Sequence, residues 1–175
     1  MATVSNQPAW LRGPVAGIPA LLQPVAHALI DADEDVRKFV PGLSTQEIAA
    51  HPGGAASVGY HVKHAMGSLD RLFTYARGES LSTAQRAALA AEADPDLTPT
   101  VGAALVAAFD EAVERALEQL RTTADTTLLE TRGVGRAQLP STVLGLLFHA
   151  AEHTQRHVGQ LVTTTKIVVA SSTLG

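Results

Sequence analysis

Apolar residues return every third or fourth position through four long stretches of this chain, and each stretch is bounded by proline or glycine. That period lines one face of an α-helix and does not suit a strand. The clearest case is Val101, Leu105, Phe109, Ala112, Ala116 and Leu120, with Glu111, Glu114 and Glu118 outside the stripe and solvated. Thr98 is placed to cap this helix, with Pro99 in its first turn. The first long helix carries Leu22, Val25, Leu29, Val36 and Phe39, from near Pro19 to the stop at Pro41-Gly42. Pro24 inside it calls for a kink or a later start. The second covers residues 55–77, with Val58, His61, Ala65, Leu69, Leu72 and Ala76 facing inward and Gly78 as its C′ residue. The fourth starts at Pro140 and runs to about Val168, and residues 170–175 are expected to fray. Capping boxes at Ser44-Thr-Gln-Glu47 and Ser82-Thr-Ala-Gln85 open short helices to about Ala50 and Glu92. Residues 123–139 read as a long loop with a strand-like piece at 128–131.

The expected fold is therefore all-α, a four-helix bundle with short inserted helices, in one domain over residues 1–175. Its core covers about residues 18–168, after an irregular lead-in containing Pro8, Gly13, Pro14 and Gly17. Links of this length permit crossover connections. Alanine supplies much of the 46% hydrophobic content and aromatics only 4%, so helices can approach closely.

The net charge of −4 and the lack of a basic run argue against nucleic acid as a partner. No apolar run is long enough for a membrane span, and the N-terminus does not resemble a signal peptide, so the expected location is cytoplasmic. Cysteine is absent, which removes disulfides, thiolate ligands and a protein thiol nucleophile.

Chemistry concentrates in histidine. His149, His153 and His157 repeat at four residues on the fourth long helix, and His61 and His64 share a side of the second. Residues four apart differ by about 40° of rotation, so His153 and His157 can reach one ion. A third ligand a further turn away is hard to accommodate about 2 Å from the same ion. Two ligands from the fourth helix plus one from the second is the better geometry, with His64 as that third ligand and His61 in reserve. Three neutral imidazoles leave open positions on zinc, nickel or iron, as in a catalytic site. Glu152 is a candidate to orient a ligand imidazole, though a solvated carboxylate fits equally, and Gln160 is a candidate donor to a bound molecule. Close packing would compensate for Gly159 within the helix. His27 and His51 are expected to be ordinary surface or hydrogen-bonded residues.

Two competing motifs fail. His149-Ala-Ala-Glu152-His153 fits the inverted zinc-protease pattern, but residues 154–175 contain no Asp or Glu to serve as its third ligand. A di-iron bundle needs paired Glu-x-x-His motifs, and no Glu has a His three residues on.

The segment Ser57-Val-Gly-Tyr-His-Val-Lys-His64-Ala-Met-Gly-Ser-Leu-Asp-Arg-Leu72 resembles the second-helix motif of the DinB-like (damage-inducible) superfamily. His149-Ala-Ala-Glu-His153-Thr-Gln-Arg-His157-Val-Gly-Gln160 is similar to that family's fourth-helix motif, and the order of helices matches over about residues 18–168. The resemblance implies a bundle with a crossover connection, frequent homodimers and a three-histidine divalent metal site. Transferred by position, its ligands are His64, His153 and His157, with His61 and His149 as common additions near the site. It also implies a range of activities, among them S-transfer or isomerisation using bacillithiol, mycothiol or glutathione. The expected function is metal-dependent chemistry on a small-molecule substrate, as a thiol S-transferase or a hydrolase-like enzyme. The alternatives are a bundle whose metal is structural or sensing, and a metal-free interaction module.

Overall fold

The computed structural model describes residues 7–92 and 102–172. Six α-helices and one hairpin make up the regular structure among them: α1 Gln23–Phe39, α2 Thr45–Ala49, α3 Val58–Ala76, α4 Thr83–Ala91, α5 Gly102–Thr122, β1 Thr131–Val134, β2 Leu139–Thr142 and α6 Val143–Ser172. The four long helices α1, α3, α5 and α6 form the bundle. Its sides are α1 on α6, α6 on α3, α3 on α5 and α5 on α1. Consecutive members α1 and α3 thus lie across the bundle from each other, as do α5 and α6. Both of those links cross over, through α2 in the first case and the hairpin in the second. No described helix is long and apolar enough to cross a membrane.

Local chemistry sets most boundaries. A tight helical turn at Ala20–Leu22 precedes α1, so Pro24 falls in the first turn, where its missing N–H is not needed, and no kink follows. Both capping boxes form. Glu47 N donates to Ser44 Oγ at 3.2 Å while the Glu47 carboxylate accepts from Ser44 N at 2.8 Å. Ser82 and Gln85 do the same. Ser57 caps α3 by accepting from Tyr60 N. Gly78 ends that helix with φ +79°, a conformation that disfavours a side chain. The Thr98 cap and Pro99 lie outside the described residues.

Residues 128–143 depart from expectation. Pro140 does not open α6. It sits in β2 opposite Gly133, in an antiparallel hairpin whose register pairs Thr131 with Thr142. An isolated two-stranded ribbon consists of edges, so proline is tolerated there. The strand expected at 128–131 begins where that range ends, because Leu128 is drawn into the core and its carbonyl accepts from Leu144 N. Thr142 then caps α6 through Gly145 N. At the other end, residues 170–172 are helical rather than frayed.

The core is continuous. Leu22, Leu29, Leu69, Phe109, Leu120, Leu147 and Leu161 are fully enclosed, with Ala26, Ala32, Ala65, Ala112, Ala116, Ala150 and Ala151 between them. Phe109 is the largest enclosed side chain, so its removal leaves the largest void. Phe109→Ala is expected to destabilise the fold by about 3–5 kcal/mol in denaturant titration.

One polar cluster bridges α1 and α5. Arg37 Nε reaches Asp33 at 2.8 Å and Asp110 at 3.1 Å. Burial pushes the Asp33 carboxyl up to about 6, helped by Asp110 beside it and opposed by Arg37. The folded state therefore favours protonated Asp33. That contribution is complete below the ordinary value of 3.8 and is lost as pH rises through about 6. Melting temperatures taken across that window should fall in the native protein relative to Asp33→Asn. Parallel curves would show that Asp33 titrates as an ordinary carboxylate.

Candidate metal centre

The α3–α6 side of the bundle carries the histidines. Both helices bury an apolar stripe there, Val58, Val62, Ala65 and Leu69 on α3 and Leu147, Ala150, Ala151, Val158 and Leu161 on α6. Residues beside those stripes lie at the margin of the seam, partly buried, and His64, His153 and His157 occupy that margin. One ring nitrogen from each lies within 4.8 Å of the other two. The Nε2 atoms of His64 and His153 are 3.0 Å apart. Nitrogens bound about 2.1 Å from one ion lie roughly 3.0–3.4 Å apart for bond angles between octahedral and tetrahedral. The His157 ring centroid stands 4.5 Å from that of His64 and 4.6 Å from that of His153. This donor set, three imidazole nitrogens on partly buried rings, fits a borderline divalent cation.

Each ring is held differently. His64 Nδ1 lies 2.9 Å from Glu92 Oε2. A carboxylate accepts, so Nδ1 carries the proton and Nε2 offers its lone pair to the centre. The Tyr60 ring lies nearly flat on His64, 10° from parallel with centroids 5.4 Å apart. His157 Nδ1 contacts His61 Nδ1 at 3.1 Å, which leaves His157 Nε2 for an ion. His61 is buried and outside the three-ring cluster, touching it through His157. His153 Nδ1 is buried with no hydrogen-bond partner among the described residues.

The electrostatics favour the neutral forms of His61, His153 and His157. Burial pushes His157 down to about 4, and the neighbouring His64, His153 and His61 rings push the same way. Burial also lowers His153 and His61, with His64 the next contributor for each. Neutral imidazole is the form that binds metal.

The remaining candidates stand further off. His149 is exposed and pairs with Glu152 at 3.4 Å. Glu152 also accepts from Arg156, and these two partners, not His153 or His157, take its carboxylate. Gln160 is exposed one turn beyond His157. Gly159 does not mark close packing, because a Cβ there would meet nothing within 4 Å. His27 and His51 bond to the backbone carbonyls of Gly13 and Ala55 and take no part.

Sequence reasoning missed Glu92 and Arg71. Arg71 Nη1 donates to Glu92 Oε1 at 2.5 Å, and Glu92 joins it to His64. The capping box at Ser82 locates α4, but nothing local shows that the residue ending that helix turns back to α3.

No curated protein gives a significant match to this chain. Residues 28–161 match the DinB superfamily, a span that takes in α3 with His64, all of α5, and the part of α6 that carries His153 and His157. With that match covering most of its length, the chain belongs to the DinB superfamily, a family of metal-binding helical bundles.

Proposed function

We propose that His64, His153 and His157 bind a divalent ion, zinc, nickel or iron, and that the loaded protein is an enzyme acting on a small molecule by thiol-dependent S-transfer or hydrolase-like chemistry. One observation carries the proposal. Three imidazoles from two helices, His64 and His153 being 89 positions apart in sequence, converge within 4.8 Å at a partly buried margin. A bound ion would supply Lewis-acid chemistry, lowering the pKa of a thiol or water that reaches it and polarising an electrophile.

The residues of the chain prepare this in separable ways. Glu92 keeps the proton on His64 Nδ1, and His61 holds His157 with its other nitrogen toward the centre. Burial keeps His153 and His157 unprotonated, so these two donors are ready near neutral pH. Tyr60 walls one side of His64. Because the chain has no cysteine, a thiol nucleophile would come from outside, as a low-molecular-weight cosubstrate.

Metal content separates this reading from its rivals. Protein made without a histidine tag should carry one divalent ion per chain, and His64→Ala, His153→Ala and His157→Ala should each lose most of it. Unchanged stoichiometry in those variants would remove the site. Chelation that lowers the melting temperature sharply, with no transfer to electrophiles across a panel of small thiols, would favour a structural or sensing metal instead.

The His157 ring gives a second check. In metal-free protein its NMR titration midpoint should lie near 4 rather than at the ordinary 6.5. A depressed imidazole contributes stability that is complete above the ordinary value and lost as pH falls through about 4. A midpoint at 6.5 would mean a solvated ring turned away from the cluster.

A further inference from the structure

Helix α4 buries none of its own residues, so apolar packing does not explain why it lies on α3. Polar contacts at its two ends do. At the start, Gln85 Nε2 donates to Asp70 Oδ2 and Thr74 Oγ1 at 2.7 and 2.8 Å. At the end, Glu92 accepts from Arg71 and meets His64. The second contact is unusual in its setting. Glu92 is the C-cap residue of α4, where the helix dipole favours a cation over a carboxylate. A local rule broken in this way points to a role outside the helix.

The face of α3 opposite Glu92 is shaped to receive it. His64, Gly67 and Arg71 stand at i, i+3 and i+7, on one side of the helix. A Cβ on Gly67 would lie 2.5 Å from Glu92 Oε1 and 2.8 Å from Arg71 Nη1, so only glycine leaves that space. Arg71 is buried and its charge needs a partner, which Glu92 supplies. A carboxylate fixed by an arginine is a rigid acceptor for the His64 Nδ1 proton. Neither His153 nor His157 has a carboxylate at hydrogen-bonding distance among the described contacts; His157 meets another imidazole, and His153 Nδ1 has no partner. His64 is therefore the anchored ligand.

We propose that Glu92, clamped by Arg71 in the space left by Gly67, is a positioning residue that holds His64 with its Nε2 lone pair toward the ion and thereby ties the seating of α4 to metal occupancy. The inference rests on the metal reading above. An ion drawing density from His64 Nε2 strengthens the Nδ1–H donation to Glu92, and Glu92 carries that gain to the end of α4.

The test uses full-length protein and zinc alone. Zinc affinity is measured against a chromophoric chelator for the native protein, Glu92→Gln, Gly67→Ala and His153→Ala. Hydrogen exchange of residues 83–92 is followed with and without zinc. Glu92→Gln and Gly67→Ala should each weaken zinc binding roughly 10- to 100-fold. Zinc should slow exchange in 83–92 of the native protein and leave it unchanged in Glu92→Gln. A purely structural Glu92 would alter exchange to the same degree with and without the ion. If Glu92→Gln misfolds without zinc, Gly67→Ala still reports, because it displaces the carboxylate without removing it. Native affinity in both variants, with His153→Ala losing zinc, overturns this inference and leaves the metal reading standing. Native affinity in His153→Ala overturns both.

Discussion

The distance between the α3 and α6 backbones decides whether imidazoles on the two helices can share anything at all. Small enclosed residues let that distance be short: Ala65 on α3, and Ala150, Ala151 and Thr154 on α6. Larger side chains would hold the helices further apart, and an imidazole has too few rotatable bonds to make up the difference. The connectivity serves the same end. Because α1 and α3 lie across the bundle from each other, α3 is free to take α5 and α6 as neighbours, and residues 89 positions apart meet at 3.0 Å.

That seam also sorts one helix's histidines by role. His149, His153 and His157 lie about a turn apart, but each four-residue step carries α6 about 40° past a full circle, so the column drifts across the face. His149 drifts into solvent and settles on Glu152, while His153 and His157 stay at the margin. Burial then makes the distinction chemical. The marginal rings are held neutral by desolvation and by one another, and neutral rings at contact distance repel less than charged ones would.

Much of this was legible because it is local. The stripe from Leu105 to Leu120 is buried as its period requires, and the boxes at Ser44 and Ser82 form because each needs only four consecutive residues. Helical rotation pairs His153 with His157, the family resemblance adds His64 by position, and one ring nitrogen from each of those three lies within 4.8 Å of the others. What could not be read depends on partners far along the chain. Pro140 looks like a helix start until Gly133 pairs with it. Glu92 looks like an unremarkable helix end until it meets His64, 28 positions earlier. The glycines show the same limit. A Cβ at Gly159, inside a helix, would meet nothing, whereas Gly67, one turn from His64, leaves the space a carboxylate needs. A missing side chain is visible in a sequence; what fills its place is not.

The relation between core and site bears on what an ion would be for. A structural metal commonly closes its coordination with protein ligands and supplies folding energy that a small core lacks. Here the apolar core runs through all four long helices without involving the three rings. The rings stand at its edge, partly buried, and among the described residues they offer three nitrogens. A bundle already closed by Phe109, Leu29, Leu69, Leu120 and Leu147 has little need of a cation to hold it together. The elaboration around the rings is directed elsewhere: a carboxylate fixing one proton, a second imidazole turning another ring, a phenol laid flat against a third face. These features orient lone pairs toward one point, which supports the catalytic reading proposed above over a structural one.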